Sequence, residues 1–113
     1  MLDLDKLRAF GADVDEGLAR CMNAEDFYIG LVNSVLADDK LKELKAQIAA
    51  KDLDAAFETA HAMKGMYANL SLTPLVIPIS EITELLRART DTDYSPLLDQ
   101  ADEAWGRLLE LSK

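Results

Sequence analysis

Apolar residues recur at helical spacing along almost the whole chain, whereas the alternating pattern of a half-buried strand is nearly absent. The first two stretches with this spacing are short. They run from Leu4 to Phe10, where Gly11 is a stop signal, and from Val14 to Arg20. The pattern therefore predicts two short helices at the beginning of the chain.

Longer helices follow, and polar residues that can cap them mark where they begin. Asn23 is placed to cap a helix from about Ala24 to Ala37, and Asp38 or Asp39 is placed to cap the next one. The apolar positions of these two helices are Phe27, Leu31 and Val35, and then Leu41, Leu44 and Ile48. Each set predicts one buried face.

Asp52 begins a further helix that continues to about Ser71, with an apolar stripe of Leu53, Ala56, Ala60, Met63, Tyr67 and Leu70. Thr73-Pro74 and Ser95-Pro96 each combine an N-cap residue with proline at the first helical position, so the last two helices should begin there. Their stripes are Leu75, Ile79, Ile82 and Leu86, and then Leu97, Ala101, Trp105 and Leu108. Pro78 lies inside the helix that should begin at Thr73-Pro74. Because proline lacks an N–H, it predicts a kink or a later start of that helix.

The connections between these helices are short, which favours antiparallel neighbours. Four long helices, each with one apolar stripe, predict an all-α fold, namely an antiparallel up-down four-helix bundle. The short N-terminal helices would then cover the bundle. The chain has 113 residues, half of them apolar, and this is the size and composition of a single domain that spans residues 1–113.

A formal net charge of −9 narrows the range of partners. The chain would repel nucleic acids and anionic membranes, so we expect its partners to be proteins. We also expect the chain to be a monomer. The longest mostly apolar run, Leu72 to Ile79, is too short to span a bilayer. Cys21 is the only cysteine, and the N-terminus lacks the order of a signal peptide. We therefore expect a cytoplasmic protein, and Met1 fits a free-standing one.

The only histidine, His61, lies in the helix that begins at Asp52. At about 100° per residue, it falls roughly 130° from the centre of the apolar stripe and is predicted to face outward. A lone histidine is more often a core residue or a chance surface residue. The helical wheel excludes the core interpretation and leaves chance exposure open.

The residues on the histidine side of this helix are mainly small or apolar, where an ordinary solvated face would be charged. Phe57, Ala68 and Leu72 predict a docking surface for a partner; packing of Phe57 and Leu72 against adjoining helices is the alternative. Gly65 lies one turn after His61 and costs roughly 1 kcal/mol relative to alanine. It would allow another protein to approach the imidazole, unless helix packing requires it.

Lys64, at i+3 from His61, is close enough on the helix surface to reach a group attached to the imidazole. Its ammonium could stabilise phosphoryl oxygens and the charge that develops during transfer. The imidazole is a suitable carrier because its neutral nitrogen is nucleophilic at about pH 7. An exposed histidine, a lysine at i+3 and a glycine at i+4 together predict a phosphoacceptor site.

The run Ala60-His61-Ala62-Met63-Lys64-Gly65, continued by Asn69-Leu70 and Leu72-Thr73-Pro74-Leu75, resembles the signature of histidine-containing phosphotransfer (HPt) domains. Upstream, Gly11, the stretch from Glu16 to Arg20 and the pair Phe27-Tyr28 are similar to the family as well, so the resemblance covers nearly the whole chain. Three positions depart from the pattern. Met63 replaces the usual leucine, Met66 stands where a small polar residue is common, and Ser71 stands where glycine is usual.

The resemblance implies a four-helix bundle that shuttles phosphoryl groups between receiver domains in two-component phosphorelays. By matched position, His61 is the phosphoacceptor, Lys64 stabilises the phosphoryl group and Gly65 provides steric clearance. The implied partners are response-regulator receiver domains and a histidine kinase or hybrid kinase. We expect no cofactor or metal in this chain, because Mg²⁺ should belong to the acidic pocket of the receiver domain.

Catalytic motifs are missing from the chain. One histidine cannot form an HExxH zinc site, and no glycine-rich phosphate loop is present, so we expect a phosphocarrier without kinase activity. Two other functions stay open. One is a non-phosphorylated helical binding module, a degenerate HPt domain. The other is a hydrolytic or general-base enzyme, which would need a cleft with a second titratable group near His61.

Overall fold

The computed structural model describes residues 1–113, which form seven helices and no strands. The helices are α1 (Leu4–Phe10), α2 (Val14–Arg20), α3 (Glu25–Leu36), α4 (Lys40–Ala49), α5 (Leu53–Asn69), α6 (Thr73–Arg87) and α7 (Ser95–Ser112). The all-α prediction is confirmed, and α1 and α2 have the predicted bounds. None of the helices is both long and apolar enough to cross a membrane.

Helices α4 to α7 form the four-helix bundle. Each packs against the next along the chain, and α4 also contacts α7, which closes the ring. Ion pairs join Asp54 to Arg89 and Lys64 to Glu84. The residue that comes earlier on α5 thus pairs with the residue that comes later in the chain after α5, so α5 and α6 are antiparallel. The N-terminal helices lie against this bundle, with α1 on α7 and α2 between α1 and α3.

The interior is one cluster of 25 buried apolar residues to which all seven helices contribute. The predicted stripe on α6 is fully buried, and the stripe on α5 is buried except for Leu53, which is half-buried. Trp105 on α7 is buried as well. Apolar burial of this kind is the main favourable contribution to folding, about 1.5–3 kcal/mol for each large side chain. The periodicity therefore identified the correct faces of the helices that form the ring.

The helix beginnings show where the capping predictions succeed. Asp39 and Asp52 cap α4 and α5, and each carboxylate accepts a hydrogen bond from the backbone N–H three residues on. Asn23 does not cap α3, because its φ of 58° places it in the left-handed region and Ala24 is the N-cap. Pro78 predicted either a kink or a later start; α6 begins at Thr73 and continues through Pro78, so the later start does not occur.

Two further N-caps differ from the prediction by one residue. Thr73 and Ser95 are the first helical residues of α6 and α7, and the caps are Leu72 and Tyr94. Neither cap donates or accepts a side-chain hydrogen bond at the helix end. Each of these helices has a proline directly after its first residue. Proline lacks an N–H, but no hydrogen bond is lost here, because the N–H groups in the first turn of a helix have no intrahelical acceptor.

The buried face of α3 is not the one predicted from Phe27, Leu31 and Val35. Tyr28 and Val32 enter the core instead, while Phe27 remains 58 % exposed. The hydroxyl of Tyr28 donates a hydrogen bond to the backbone carbonyl of Leu70 at 2.8 Å and so ties α3 to the end of α5. Its burial raises the pKa of Tyr28 to about 12, so the phenol stays neutral and keeps this bond.

Candidate functional site

His61 lies in the middle of α5 and is exposed to solvent. The opposite side of the same helix carries Ala56, Ala60, Met63 and Tyr67, all of which are buried in the bundle. Burial of this stripe fixes the rotation of α5, and the helical repeat then directs position 61 outward. The prediction of an outward-facing imidazole is confirmed.

The imidazole of His61 stacks on the phenyl ring of Phe57, one helical turn earlier. Their ring centroids are 5.6 Å apart and the planes differ by 16°. The guanidinium carbon of Arg87, on α6, lies 5.0 Å from the centroid of the Phe57 ring, in a cation–π contact. Phe57 is half-buried by these contacts. It therefore contributes to the orientation of His61 as well as to the surface around it.

Lys64 lies on the same side of α5 as His61, but its ammonium is paired with a carboxylate of α6. The Lys64 Nζ atom is 3.9 Å from Oε1 of Glu84, and Nε of Arg87 is 3.3 Å from Oε2 of the same residue. The side chains of Lys64 and Glu84 are 37 % and 58 % exposed, so water screens this pair. Sequence reasoning missed Glu84 and Arg87, which belong to a different helix.

Gly65 is exposed, and a Cβ atom added to it would have no neighbour within 4 Å. Close packing between helices therefore does not explain this glycine. Gly30 and Gly106 are equally open, so openness alone does not single out Gly65. Its position does, because it lies one turn after His61 on nearly the same side of α5. The backbone next to the imidazole is accessible to a partner from outside.

The predicted docking residues Ala68 and Leu72 lie in different environments. Ala68 is half-buried near the end of α5, and its carbonyl accepts a hydrogen bond from Arg20. Leu72 is fully buried, so the prediction that it lines a docking surface is wrong. The helical wheel was extended too far, because α5 ends at Asn69 and the chain turns before Leu72. Leu72 packs in the core, as the alternative interpretation required.

Ser71 forms the turn between α5 and α6 in a left-handed conformation, with φ of 55°. Its backbone carbonyl accepts a hydrogen bond from the N–H of Asp13, while its buried hydroxyl has no hydrogen-bond partner. A side chain in this conformation is strained, and glycine adopts it at little cost. The geometry explains why the HPt signature that the sequence resembles has glycine at this position.

An apolar groove of about 370 Å³ opens between α3 and the C-terminal part of α5. Two of its lining residues, Met66 and Asn69, follow Gly65 on α5, so the groove begins next to the accessible backbone. Its other apolar lining residues are Phe27, Leu31, Val35, Leu70 and Cys21. The three residues predicted for the core face of α3 thus line a groove at the surface, where Leu31 and Val35 are half-buried against the core and Phe27 is exposed. The exposure of Phe27 reveals this groove, and sequence periodicity alone could not predict that exposure.

A second groove of about 460 Å³ lies on the other side of the histidine, between the beginning of α5 and the end of α6. Asp54 and Arg89 line it and form an ion pair at 2.5 Å. His61 lines neither of the two grooves. Neither of these two grooves is therefore the cleft around His61 that a hydrolytic enzyme would need. No group of three or more His, Cys, Asp or Glu side chains could hold a metal ion.

A comparison with protein families gives a match. The family model described as Hpt domain matches residues 35–111, more than half of the 113-residue chain. The matched stretch begins at the end of α3 and contains α4, α5 and α6 together with nearly all of α7. It includes every site residue on α5 and α6. No curated protein and no solved structure matches the chain.

Proposed function

This chain belongs to the Hpt domain family, and from that premise we propose that it carries a phosphoryl group on His61 in a two-component phosphorelay. Domains of this family take part in phosphotransfer and are phosphocarriers rather than kinases. The observation that carries the proposal is the solvent-exposed imidazole in the middle of α5. Lys64 places a cation three residues after this imidazole, and Gly65 leaves the backbone without a side chain one turn after it.

The transfer reaction needs a nucleophile and little other chemistry from this chain. A lone pair of a neutral imidazole nitrogen attacks the phosphorus of the phosphoaspartate in a receiver domain. The N–P bond forms while the P–O bond to the aspartate breaks, and the carboxylate leaves with the bonding electron pair. The reverse reaction returns the group to a receiver. We expect Mg²⁺ to be held by the receiver domain, and this chain to use no cofactor.

Cations near His61 matter because the chain as a whole repels anions, with a net charge of −9. The transferring phosphoryl group spreads negative charge over three oxygens, and a nearby ammonium or guanidinium stabilises that charge. Lys64 is one such group, at i+3 from the histidine on the surface of α5. Arg87, which contacts the Phe57 ring beneath the imidazole, is a second.

The receiver domain must approach His61 across a surface that has no side chains in its way. Gly65 leaves the backbone bare, Ala68 adds only a methyl group, and the apolar groove with Phe27 at its edge continues the same surface. Apolar surface of this kind favours a protein partner. We propose that the receiver docks over Gly65 and Ala68 and extends into the groove, and that Phe57 borders the docking surface.

The family and the negative charge of the chain also support an inference about its partners. Receiver domains would be its direct partners, with a histidine kinase or hybrid kinase at the head of the relay, and the family supports partners of this kind. The chain would act in the cytoplasm as a monomer. The strong negative charge supports protein partners over nucleic acid or anionic lipid.

The test compares the protein with a His61→Gln variant. Both are incubated with a panel of phosphorylated receivers from the same organism and, separately, with phosphoramidate, a small phosphoryl donor. The native chain should acquire an acid-labile, base-stable phosphoryl group from both sources, whereas the variant should acquire none. The thermal stability of the variant should stay within about 0.5 kcal/mol, because the replaced side chain is exposed.

Undiminished phosphoryl transfer to the His61→Gln variant would contradict the assignment of the phosphoacceptor. A native chain that binds receivers but never acquires a phosphoryl group from them or from phosphoramidate would instead support the non-phosphorylated binding module. In that case receiver binding would survive in the variant. The two outcomes are distinguished by measuring binding and phosphoryl incorporation on the same samples.

A further inference from the structure

We propose that Glu84 is an internal counter-ion that competes with the phosphoryl group for Lys64 and Arg87, and so shortens the lifetime of phosphohistidine at His61. Glu84 is then a positioning residue, because it acts through the two cations and does not touch the reacting atoms. The inference rests on the proposed phosphocarrier function. It assigns a role to a residue of α6 that lies outside the α5 signature.

The geometry of Glu84 differs from that of every other carboxylate near the site. Its two oxygens contact two different cations, Lys64 at 3.9 Å and Arg87 at 3.3 Å. No other acidic side chain pairs with either cation. Asp54, on the histidine side of α5, is already paired with Arg89. One carboxylate of α6 therefore holds both Lys64, at i+3 from His61, and Arg87, which contacts the Phe57 ring on which the imidazole stacks.

The charges explain why this arrangement produces competition. A phosphoryl group on His61 brings about two negative charges to a surface where Glu84 already neutralises part of the positive charge. The Lys64–Glu84 separation of 3.9 Å is at the outer limit of an ion pair, so the ammonium is held loosely and can turn toward the new anion. The carboxylate then repels the phosphoryl group and retains a share of both cations. Its removal should strengthen the contacts between the cations and the phosphoryl group on His61. Because these contacts are lost when the group leaves for water, the cations that favour phosphorylation should also slow the loss of the group.

The experiment replaces Glu84 by glutamine, which has the same shape without the charge. Phosphohistidine is formed with phosphoramidate, the donor is removed, and the decay of the acid-labile phosphoryl group is followed at neutral pH. We expect the lifetime to increase by about two- to fivefold in Glu84→Gln, the range of an exposed ion pair. Phosphoramidate is used because it needs no docking surface, so the result depends on the charges around His61 alone.

Glu81→Gln is the matched control, because Glu81 is exposed on the same helix, forms no ion pair and carries the same charge. Its lifetime should equal that of the native chain, which removes net charge as the explanation. The Glu84→Gln effect should also disappear when Lys64 and Arg87 are both replaced by methionine, because no cation is then left for Glu84 and the phosphoryl group to compete for. Circular dichroism confirms that each variant is folded.

The outcomes separate the inference from the function on which it rests. An unchanged or shorter lifetime in Glu84→Gln overturns the role of Glu84 and leaves the phosphocarrier function intact. An equal increase in Glu81→Gln overturns it as well, because the effect would then belong to net charge. If the native chain forms no phosphohistidine with phosphoramidate, the phosphocarrier function fails, and this inference fails with it.

Discussion

The outward side of α5 consists of two segments that differ in chemical character. The first, which we name the charged segment, holds His61 with Phe57 and Lys64 and meets Glu84 and Arg87 of α6. The second, the bare segment, begins with Gly65, continues through Ala68 and borders the apolar groove. The outward side of one helix thus presents ionic and aromatic contacts over two turns and only a glycine and an alanine in the next.

If the proposed function holds, the phosphoryl chemistry and the docking of a receiver use neighbouring segments of one helix, with Phe57 at the border between them. Changes in the charged segment should affect phosphorylation by any donor, because they alter the surroundings of the imidazole. Changes in the bare segment should affect only transfer from a receiver domain, because phosphoramidate needs no docking surface. The two donors therefore distinguish the segments experimentally.

Replacement of Gly65 by glutamine should give the largest separation of the two donors. The new side chain would occupy the space through which the receiver reaches His61, and we expect transfer from a receiver to fall at least about 100-fold, the effect of a misplaced reacting group. Phosphorylation by phosphoramidate should be unchanged. The free energy of unfolding should rise by about 0.5–1 kcal/mol, because glutamine favours the helix more than glycine does.

Gly106→Gln provides the matched control for this experiment. Gly106 is also an exposed helical glycine with no neighbour near its Cβ position, but it lies on α7. The control should show the same gain in stability without any loss of receiver transfer. Equal receiver transfer in the two variants would contradict the docking role of the bare segment.

Lys64→Met should slow phosphorylation by both donors, because it removes a cation from the charged segment. We expect a decrease of roughly tenfold, smaller than at a buried oxyanion site since the side chain is 37 % exposed. Lys42→Met removes the same charge from an exposed position of α4 that forms no ion pair and should have no effect. If Lys64→Met slows only receiver transfer, Lys64 belongs to recognition and the division between the segments is wrong.

Phe27→Ala tests whether the receiver extends into the groove. The side chain is 58 % exposed, so its removal should cost little stability but should weaken receiver docking by about 1 kcal/mol, or roughly fivefold in KM. Phosphoramidate labelling should not change. Ile77→Ala is the control, because Ile77 is similarly exposed on α6 and lies outside the groove. Equal effects of the two substitutions on KM would exclude a specific contribution from the groove.

Ser71→Gly should leave both donors unaffected and change only stability. The substitution relieves a left-handed backbone conformation and removes a buried hydroxyl without a partner. We expect the free energy of unfolding to increase by about 1 kcal/mol. Denaturant unfolding measures it. A loss of stability would show that the hydroxyl has a partner, for example a water molecule, that compensates for the strain.

Much of the fold could be predicted from the sequence, because each helix of the ring carries one apolar stripe and the connections are short. The bounds of α1 and α2, the aspartate caps of α4 and α5 and the outward position of His61 are all confirmed. The buried face of α3 was assigned incorrectly. This helix has apolar residues on two sides, and only packing decides which side enters the core.

The site was predictable only as far as α5 extends. The spacing of His61, Lys64 and Gly65 depends on one helix, and helical geometry suffices for it. Glu84 and Arg87 come from α6, and their contacts with α5 depend on the register and rotation of two packed helices, which spacing along the chain does not specify. Leu72 was misplaced for the opposite reason, because a local pattern was continued past the end of its helix.

Helix α3 is attached to the bundle by few contacts, among them the hydrogen bond from Tyr28 to the Leu70 carbonyl. The ring of α4 to α7 closes without α3, and only Tyr28 and Val32 of that helix are buried. Opening of α3 should therefore require less free energy than global unfolding, so its backbone amides should exchange with deuterium earlier than those of α5. Such subglobal opening would remove one wall of the groove while the helix that carries the imidazole stays protected.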